Sequence, residues 1–198
     1  AESFRRLLAT SIDRRCYWLA FGTGLHAAEL AREFPNHIAL AGLIPNSWLA
    51  AVYSLFRSRR FPFVSAADTE IYGISHEESQ RCGLPIVAME LGTRGHFYMP
   101  GDRIGRDCVV PTQLALESAV SELSSEPPTF RIAANGFVIP DFTRGRGLNS
   151  VRQNPGGVAV MHQTAQSLSA ALAVMSRLPS AVWDEMSRHA AELTARTK

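Results

Sequence analysis

Two glutamates, Glu70 and Glu78, are separated by seven residues that contain a glycine turn and the start of a predicted helix. Gly73 permits a tight backbone turn. Ser75 and Glu78 fit the capping-box pattern, which predicts Ser75 as the N-cap of the helix. The free backbone N–H groups of such a helix start would point at the turn beside Tyr72. This arrangement suits an anion, and a phosphate in particular.

The residues after the second glutamate predict a short helix and then a strand. Cys82 and Gly83 end the helix, and the apolar, β-branched run Leu84–Ala88 has the composition of a strand buried on both faces. The whole stretch from Glu70 to Met89 therefore reads as loop, helix and strand. We expect the rest of the chain to support it.

These residues resemble the donor-site signature of the retaining GT-B glycosyltransferases of family four, also called glycosyl transferases group 1. In that family a Glu-x-Phe-Gly motif is followed by a second Glu that heads a helix, and then by Gly-x-Pro-Val-Val-Ala. The present chain has Glu-Ile-Tyr-Gly, then Glu78, then Gly-Leu-Pro-Ile-Val-Ala in register. The resemblance extends less specifically from Ala1 to Gly92, and again near the end of the chain.

The resemblance implies transfer of a sugar from a nucleoside-diphosphate sugar, with retention, to an unknown glycan, lipid or small-molecule acceptor. Glu70 would be the catalytic residue that positions the donor sugar, and Glu78 would accept hydrogen bonds from the ribose hydroxyls. The residues expected to bind the donor are Glu78, Tyr72, Gly73, Ile74, Ser75, Gly22, Gly24, Gly42, Leu43 and Ile44. No metal and no cofactor is expected.

The same resemblance implies a missing partner domain. In the family, an Arg and a Lys that grip the diphosphate lie on a strand and loop before the residues matched here, and an N-terminal GT-B domain binds the acceptor. We therefore expect the chain to be a fragment that is inactive by itself. Arg94 and His96 follow the strand after Glu78 and are candidates for partial compensation.

Strand and helix patterns alternate along the first part of the chain. Strands are predicted at Cys16–Phe21, His37–Ala41 and Phe61–Ser65, with helices between them. This order predicts an α/β fold, a Rossmann-like parallel sheet with helices on both faces. The glycine turns would then share one rim at the carboxyl ends of the strands. The apolar stripe that contains Trp48 and Tyr53, on the helix that Asn46 or Ser47 is predicted to cap, is expected to lie in the core.

We divide the chain into a nucleotide-sugar-binding core at residues 1–92, an insertion or divergent lobe at 93–157, and C-terminal helices at 158–198. Helices are predicted at Gln113–Leu123 and Thr164–Leu178, and Ser180 is predicted to cap a last helix. An alternative alignment places Val109–Leu123 on the penultimate helix of the family and makes the tail the addition. Three arginines among glycines, at 144, 146 and 152, predict a mobile polar loop.

Composition restricts the classes of function. The chain has 198 residues, 46% of them hydrophobic, and a net charge of +2 with scattered basic residues, so nucleic acid is not an expected partner. Three distant cysteines predict neither a disulfide framework nor a metal cluster. No run is long and apolar enough to span a bilayer. We expect a cytoplasmic location, either free or peripheral at the inner face of the membrane.

Each candidate residue also has a purely structural interpretation. Glu78 could serve only as a helix cap, His76 is expected on the polar surface, and Cys82 as a small side chain that closes its helix. A competing class of function is a non-catalytic GT-B-like module that binds a nucleotide or a protein. A nicotinamide-dependent enzyme fits less well, because the glycine turn lacks the third glycine of that fingerprint.

Overall fold

The computed structural model describes residues 18–21, 25–65, 73–90, 106–123, 129–142 and 156–196. Predictions that concern the residues between these ranges lie outside the described residues. The helices are α1 (Leu25–Glu33), α2 (Asn46–Ser58), α3 (Ile74–Arg81), α4 (Arg106–Leu123), α5 (Gly157–Met175) and α6 (Ser180–Arg196). The strands are β1 (Trp18–Phe21), β2 (Ile38–Gly42), β3 (Phe63–Ser65), β4 (Ile86–Met89), β5 (Arg131–Ala133) and β6 (Gly136–Ile139). None of the described helices is long and apolar enough to cross a membrane.

The protein has an α/β fold with a small mixed sheet. Four strands pair in the order β3-β4-β6-β5, in which β3, β4 and β6 are parallel. Strands β1 and β2 form a separate parallel pair. The predicted α/β class is confirmed, but the sheet is not wholly parallel. Strand β5 is antiparallel to β6, because only Ala134 and Asn135 connect them and a parallel connection needs a dozen or so residues.

Strand β4 is the buried centre of the larger sheet. Its four residues are at most 2% exposed, which confirms the strand predicted there as one buried on both faces. Val87 and Met89 belong to the main core, together with side chains of α4, α5 and α6. Ile86 and Ala88 belong to a second cluster with Val138. The alternation of two clusters along one strand follows from its two-residue period.

Strands β5 and β6 were not predicted. Both fall within residues 93–157, and β6 pairs directly with β4, so this stretch supplies part of the sheet. The turn contains Asn135-Gly136 between short apolar runs, a hairpin signal that could have revealed it. A Cβ on Gly136 would lie 2.0 Å from the carbonyl O of Ile86, so only glycine permits this approach. The division into a core and an added lobe stays a prediction.

The helices differ from their predicted extents in both directions. Helix α4 begins before the predicted Gln113, and α5 spans Gly157–Met175 rather than Thr164–Leu178. Helix α6 begins at Ser180 itself, the residue predicted to cap it, and its first hydrogen bond runs from the N–H of Trp183 to the carbonyl O of Pro179. Its Trp183 and Met186 enter the main core, and its Ser187 Oγ donates a hydrogen bond to the carbonyl O of Gly83 at 2.5 Å. Helix α6 therefore contacts both the main core and the end of α3.

Trp48 on α2 is not in the core. The same helix buries Tyr53, as predicted, but Trp48 is 67% exposed. Trp48 and Tyr53 are five positions apart, which on an α-helix separates them by well over a quarter turn. The apolar stripe is wider than the surface that the sheet offers, so its edge lies in solvent.

Helices α2 and α3 end in the same way. At the end of α2, the N–H groups of Arg60 and Phe61 donate to the carbonyls of Arg57 and Phe56, at 3.1 and 2.9 Å. This is the Schellman pattern, and the rings of Phe56 and Phe61 lie 6.0 Å apart beside it. It places Arg60 at a φ of 58°, in the left-handed region.

At the end of α3, the N–H groups of Gly83 and Leu84 donate to the carbonyls of Gln80 and Ser79, at 2.8 and 3.1 Å. Gly83 takes a φ of 77°. Glycine adopts this conformation without strain, whereas Arg60 does not.

The two caps predict opposite responses to substitution. Arg60→Gly relieves a left-handed Cβ and should raise the free energy of unfolding by about 0.5–1 kcal/mol. Gly83→Ala should lower the free energy of unfolding by about 1–2 kcal/mol, because the Cβ of alanine would be strained at this left-handed position. Urea denaturation measures both. Gly156→Ala is the control, because φ there is negative and a Cβ would meet nothing within 4 Å. Equal effects at all three positions would contradict the cap assignment.

Candidate functional site

The junction between Gly73 and α3 is the part of the predicted site that the structure describes most fully. Gly73 is buried, with φ 70° and ψ 45°, and α3 begins immediately after it. The first intrahelical hydrogen bond runs from the N–H of Glu77 to the carbonyl O of Gly73, at 3.0 Å. The N–H groups of Ile74, Ser75 and His76 precede that bond, so they have no intrahelical acceptor. This end of α3 carries the positive end of the helix dipole.

The capping box predicted for Ser75 and Glu78 is wrong. Gly73 is at the N-cap position, Ser75 is the second residue of the helix, and no side-chain hydrogen bond caps this helix. The left-handed conformation of Gly73 turns the chain into the helix directly, two residues earlier than the pattern implied. Glu78 therefore has no capping role, and its surroundings on α3 decide what it can do.

Glu78 lies on the side of α3 that faces α2. It is half-buried, and it is spaced four residues from both Ile74 and Cys82, so the three share one face of the helix. Its charge acts on the hydroxyl of Tyr53, which is buried on α2, and on the thiol of Cys82. The predicted ribose-binding carboxylate is thus near enough to α2 for its charge to act on a buried phenol.

The pKa values of Tyr53 and Cys82 are both raised. Burial is the main cause for each, and the negative charge of Glu78 is the second. The positive charge of Arg57 acts in the opposite direction on Cys82. A raised pKa keeps the Cys82 thiol protonated, which agrees with its predicted role as a small residue at the helix end rather than a nucleophile. Cys82 is the C-cap residue of α3.

The residues predicted to contact the base lie at the end of β2. Gly42 is the last residue of the strand and has a φ of 65°, while a Cβ there would meet nothing within 4 Å. Glycine is therefore needed for backbone conformation and not for space. Leu43 is 82% exposed and Ile44 is half-buried. The helix that follows, α2, is the one that places Tyr53 beside Glu78.

The structure brings only part of the predicted site together. Gly73, Ile74, Ser75 and Glu78 share α3 and its N-cap, whereas Gly42, Leu43 and Ile44 end a strand of the separate two-stranded sheet. The described strands thus do not form one continuous rim. Four predicted residues, Glu70, Tyr72, Gly22 and Gly24, lie outside the described residues, as do Arg94, His96 and the three loop arginines.

His76 is not the surface residue that the sequence suggested. Its side chain is fully buried, and its ring meets the ring of Phe63 edge-on at 5.5 Å. Phe63 also contacts Tyr53 edge-on, at 6.2 Å between ring centroids. These aromatic contacts connect α3, β3 and α2, so His76 positions the helix rather than presenting a polar group to solvent.

A buried polar pair that no sequence pattern indicated holds the other end of α3. The Nδ2 of Asn135 donates to the Oε1 of Gln80 at 2.6 Å, and both residues are fully buried. The backbone carbonyl of Asn135 also accepts the N–H of Ile86 at 3.1 Å. The β5–β6 turn therefore anchors α3 and β4 at once. Because Gln80 and Asn135 are far apart in the chain, no local sequence pattern indicates that they pair.

Comparison with known proteins adds no family. No protein-family model and no curated protein matches the chain. Among the residues that the structure describes, no three His, Cys, Asp or Glu side chains come close enough together to hold a metal ion. The functional argument therefore depends on the geometry of α3 and on the sequence pattern around it.

Cys82 offers a direct test of where Glu78 lies. In a chain whose other cysteines are replaced by Ser, Glu78→Gln should lower the pKa of Cys82, because a negative charge beside the thiol is removed. Arg57→Gln should raise it for the opposite reason. The rate of alkylation by iodoacetamide as a function of pH measures both shifts. Unchanged pKa values in both variants would show that Glu78 does not face Cys82.

Proposed function

We propose that the chain is the donor-binding domain of a retaining GT-B glycosyltransferase. The observation that carries the proposal is the left-handed Gly73 directly before α3, with Glu78 on the second turn of the same helix. This is the arrangement that the sequence pattern Glu-Ile-Tyr-Gly…Glu requires if it binds a nucleoside diphosphate. The pattern and this geometry together support the assignment.

The finer fold belongs to this proposal. Strands β3, β4 and β6 are parallel, as are β1 and β2, and helices alternate with them along the chain. Such a series supports a Rossmann-like donor domain, whose first two strands pair here apart from the larger sheet. In that fold ligands bind beyond the carboxyl ends of the strands. Strand β3 has such an end at Ser65, and α3 is the next described helix along the chain.

The start of α3 would bind the β-phosphate. The backbone N–H groups of the first turn of α3 lie at this end, at the positive end of the helix dipole. Negative charge grows on the β-phosphate as the glycosidic bond breaks. Dipoles that are already oriented stabilise this charge more in the transition state than in the ground state, and so they lower the barrier.

The remaining groups would orient the donor. The carboxylate of Glu78 would accept hydrogen bonds from two ribose hydroxyls, and the backbone of Gly42, Leu43 and Ile44 would contact the base. Glu70 would hold the donor sugar. The acceptor, a glycan, a lipid or a small molecule, would be held by an N-terminal domain across a cleft. No metal is required, because helix dipoles and basic side chains neutralise the diphosphate.

Glu78→Gln tests the proposal directly. It should weaken binding of a nucleoside diphosphate by about tenfold or more, since a charge-assisted hydrogen bond contributes roughly 1.5–3 kcal/mol. Calorimetric titration across several nucleoside diphosphates measures the change, and thermal unfolding should be nearly unaffected because no cap is lost.

Glu77→Gln is the matched control for that experiment. Glu77 is the adjacent residue on α3, and it pairs with Arg81. Its substitution should leave the dissociation constant within about twofold, because Glu77 is not among the residues proposed to contact the nucleotide. Equal weakening by both substitutions would point to a general charge effect. Full binding by the Glu78→Gln variant would remove Glu78 from the site.

Glu70→Ala should separate the sugar from the nucleotide. If Glu70 holds the donor sugar, the variant should lose affinity for a nucleoside-diphosphate sugar and keep its affinity for the plain diphosphate. The two titrations use the same protein sample. Equal losses for both ligands would contradict the assigned role. Nucleotide binding without any sugar preference would favour the non-catalytic binding module.

A further inference from the structure

Helix α2 and the turn after it carry exposed apolar side chains that the proposed donor site does not use. Trp48 is 67% exposed, Leu55 54% and Phe61 46%. Trp48 and Leu55 are seven residues apart, two helical turns, so they lie on one face of α2. Tyr53, which contacts Phe63 of the sheet, lies on a different face. The helix thus has a second apolar side that points away from the core.

Basic side chains continue this apolar side at its end. Arg59 follows Leu55 by four residues and so lies on the same stripe, and Arg60 and Phe61 come directly after it. Helix α2 contains no acidic residue. Neither Arg59 nor Arg60 forms an ion pair with a carboxylate anywhere in the described ranges. Their charges are therefore available to an external anion.

We propose that this α2 surface, made of Trp48, Leu55, Arg59, Arg60 and Phe61, docks on an anionic lipid bilayer. Tryptophan favours the membrane interface, where its ring contacts acyl chains and its N–H stays among head groups. Arginines at the end of an amphipathic helix are attracted to anionic lipid phosphates. The helix lies in the plane of the bilayer, and the apolar stripe enters it.

The shape and size of the α2 surface favour a bilayer over a protein partner. Its exposed apolar side chains are three, on one stripe of α2 and the turn after it, whereas a stable protein interface needs about 1,000 Å² or more of well-matched area. A bilayer requires no such matching shape. Because the surface has arginines and its helix has no acidic residue, its charge complements a surface that is uniformly negative.

Vesicle cosedimentation tests the proposal on the full chain. We expect binding to phosphatidylcholine vesicles that contain phosphatidylglycerol, little binding without it, and release as salt is raised. Trp48→Ser combined with Leu55→Ser should lower the partition coefficient by about tenfold or more. Arg59→Gln combined with Arg60→Asn should lower it by roughly 20-fold, and asparagine tolerates the left-handed position.

Two control variants carry equivalent changes elsewhere. Leu114→Ser combined with Val158→Ser alters two side chains that are each 61% exposed, on α4 and α5. Arg32→Gln combined with Arg177→Gln removes two exposed arginines. Both controls should bind vesicles within about threefold of the unaltered chain, since neither touches the α2 surface. Circular dichroism confirms that every variant is folded.

Three results would overturn the proposal. The first is the absence of phosphatidylglycerol-dependent binding by the unaltered chain. The second is an equal loss of binding in the control variants, which would show a non-specific effect of charge and apolar area. The third is a concentration-dependent dimer, seen by sedimentation, that Trp48→Ser with Leu55→Ser abolishes. That result would assign the surface to a second copy of the chain.

Discussion

Helix α3 lies between two left-handed glycines, and the account of the site depends on this constraint. Gly73 has a φ of 70° and Gly83 a φ of 77°, so a Cβ at either end would strain the backbone. The helix has eight residues, too few to be stable by itself in water. Its position is therefore set by contacts: His76 against the sheet, Gln80 bonded to the β5–β6 turn, and Ser187 bonded to the carbonyl of Gly83.

These contacts give α3 two sides with different roles. The buried side is polar, because His76, Ser79 and Gln80 are all fully buried. Buried polar side chains need specific surroundings, and this requirement restricts the helix to one position. The other side carries Ile74 and Glu78 near the start of the helix and near α2. Because the buried side holds the helix rigidly, the N–H groups at its start and the carboxylate of Glu78 keep a constant separation. A site that binds a phosphate and a ribose together needs that property.

Local sequence patterns predicted much of this arrangement. They failed where contacts between residues far apart in the chain determine the structure. The run around Ile86 predicted β4 because burial on both faces leaves a continuous apolar signature. The capping box at Ser75 was wrong because Gly73 offered the backbone another way into the helix. Trp48 fits the helical period, yet periodicity does not say how wide a surface the sheet presents. The bond between Gln80 and Asn135 joins residues 55 positions apart, so no local pattern encodes it.

The central claim is that the start of α3 binds the phosphates of a nucleotide. The most direct measurement is a titration followed by amide chemical shifts in ¹⁵N-labelled protein, with a nucleoside and its diphosphate compared. The account predicts large, saturable shifts at Gly73, Ile74 and Ser75 with the diphosphate, and only small shifts there with the nucleoside. Saturable binding that leaves these three amides unmoved, or no binding of any nucleoside diphosphate, would contradict it.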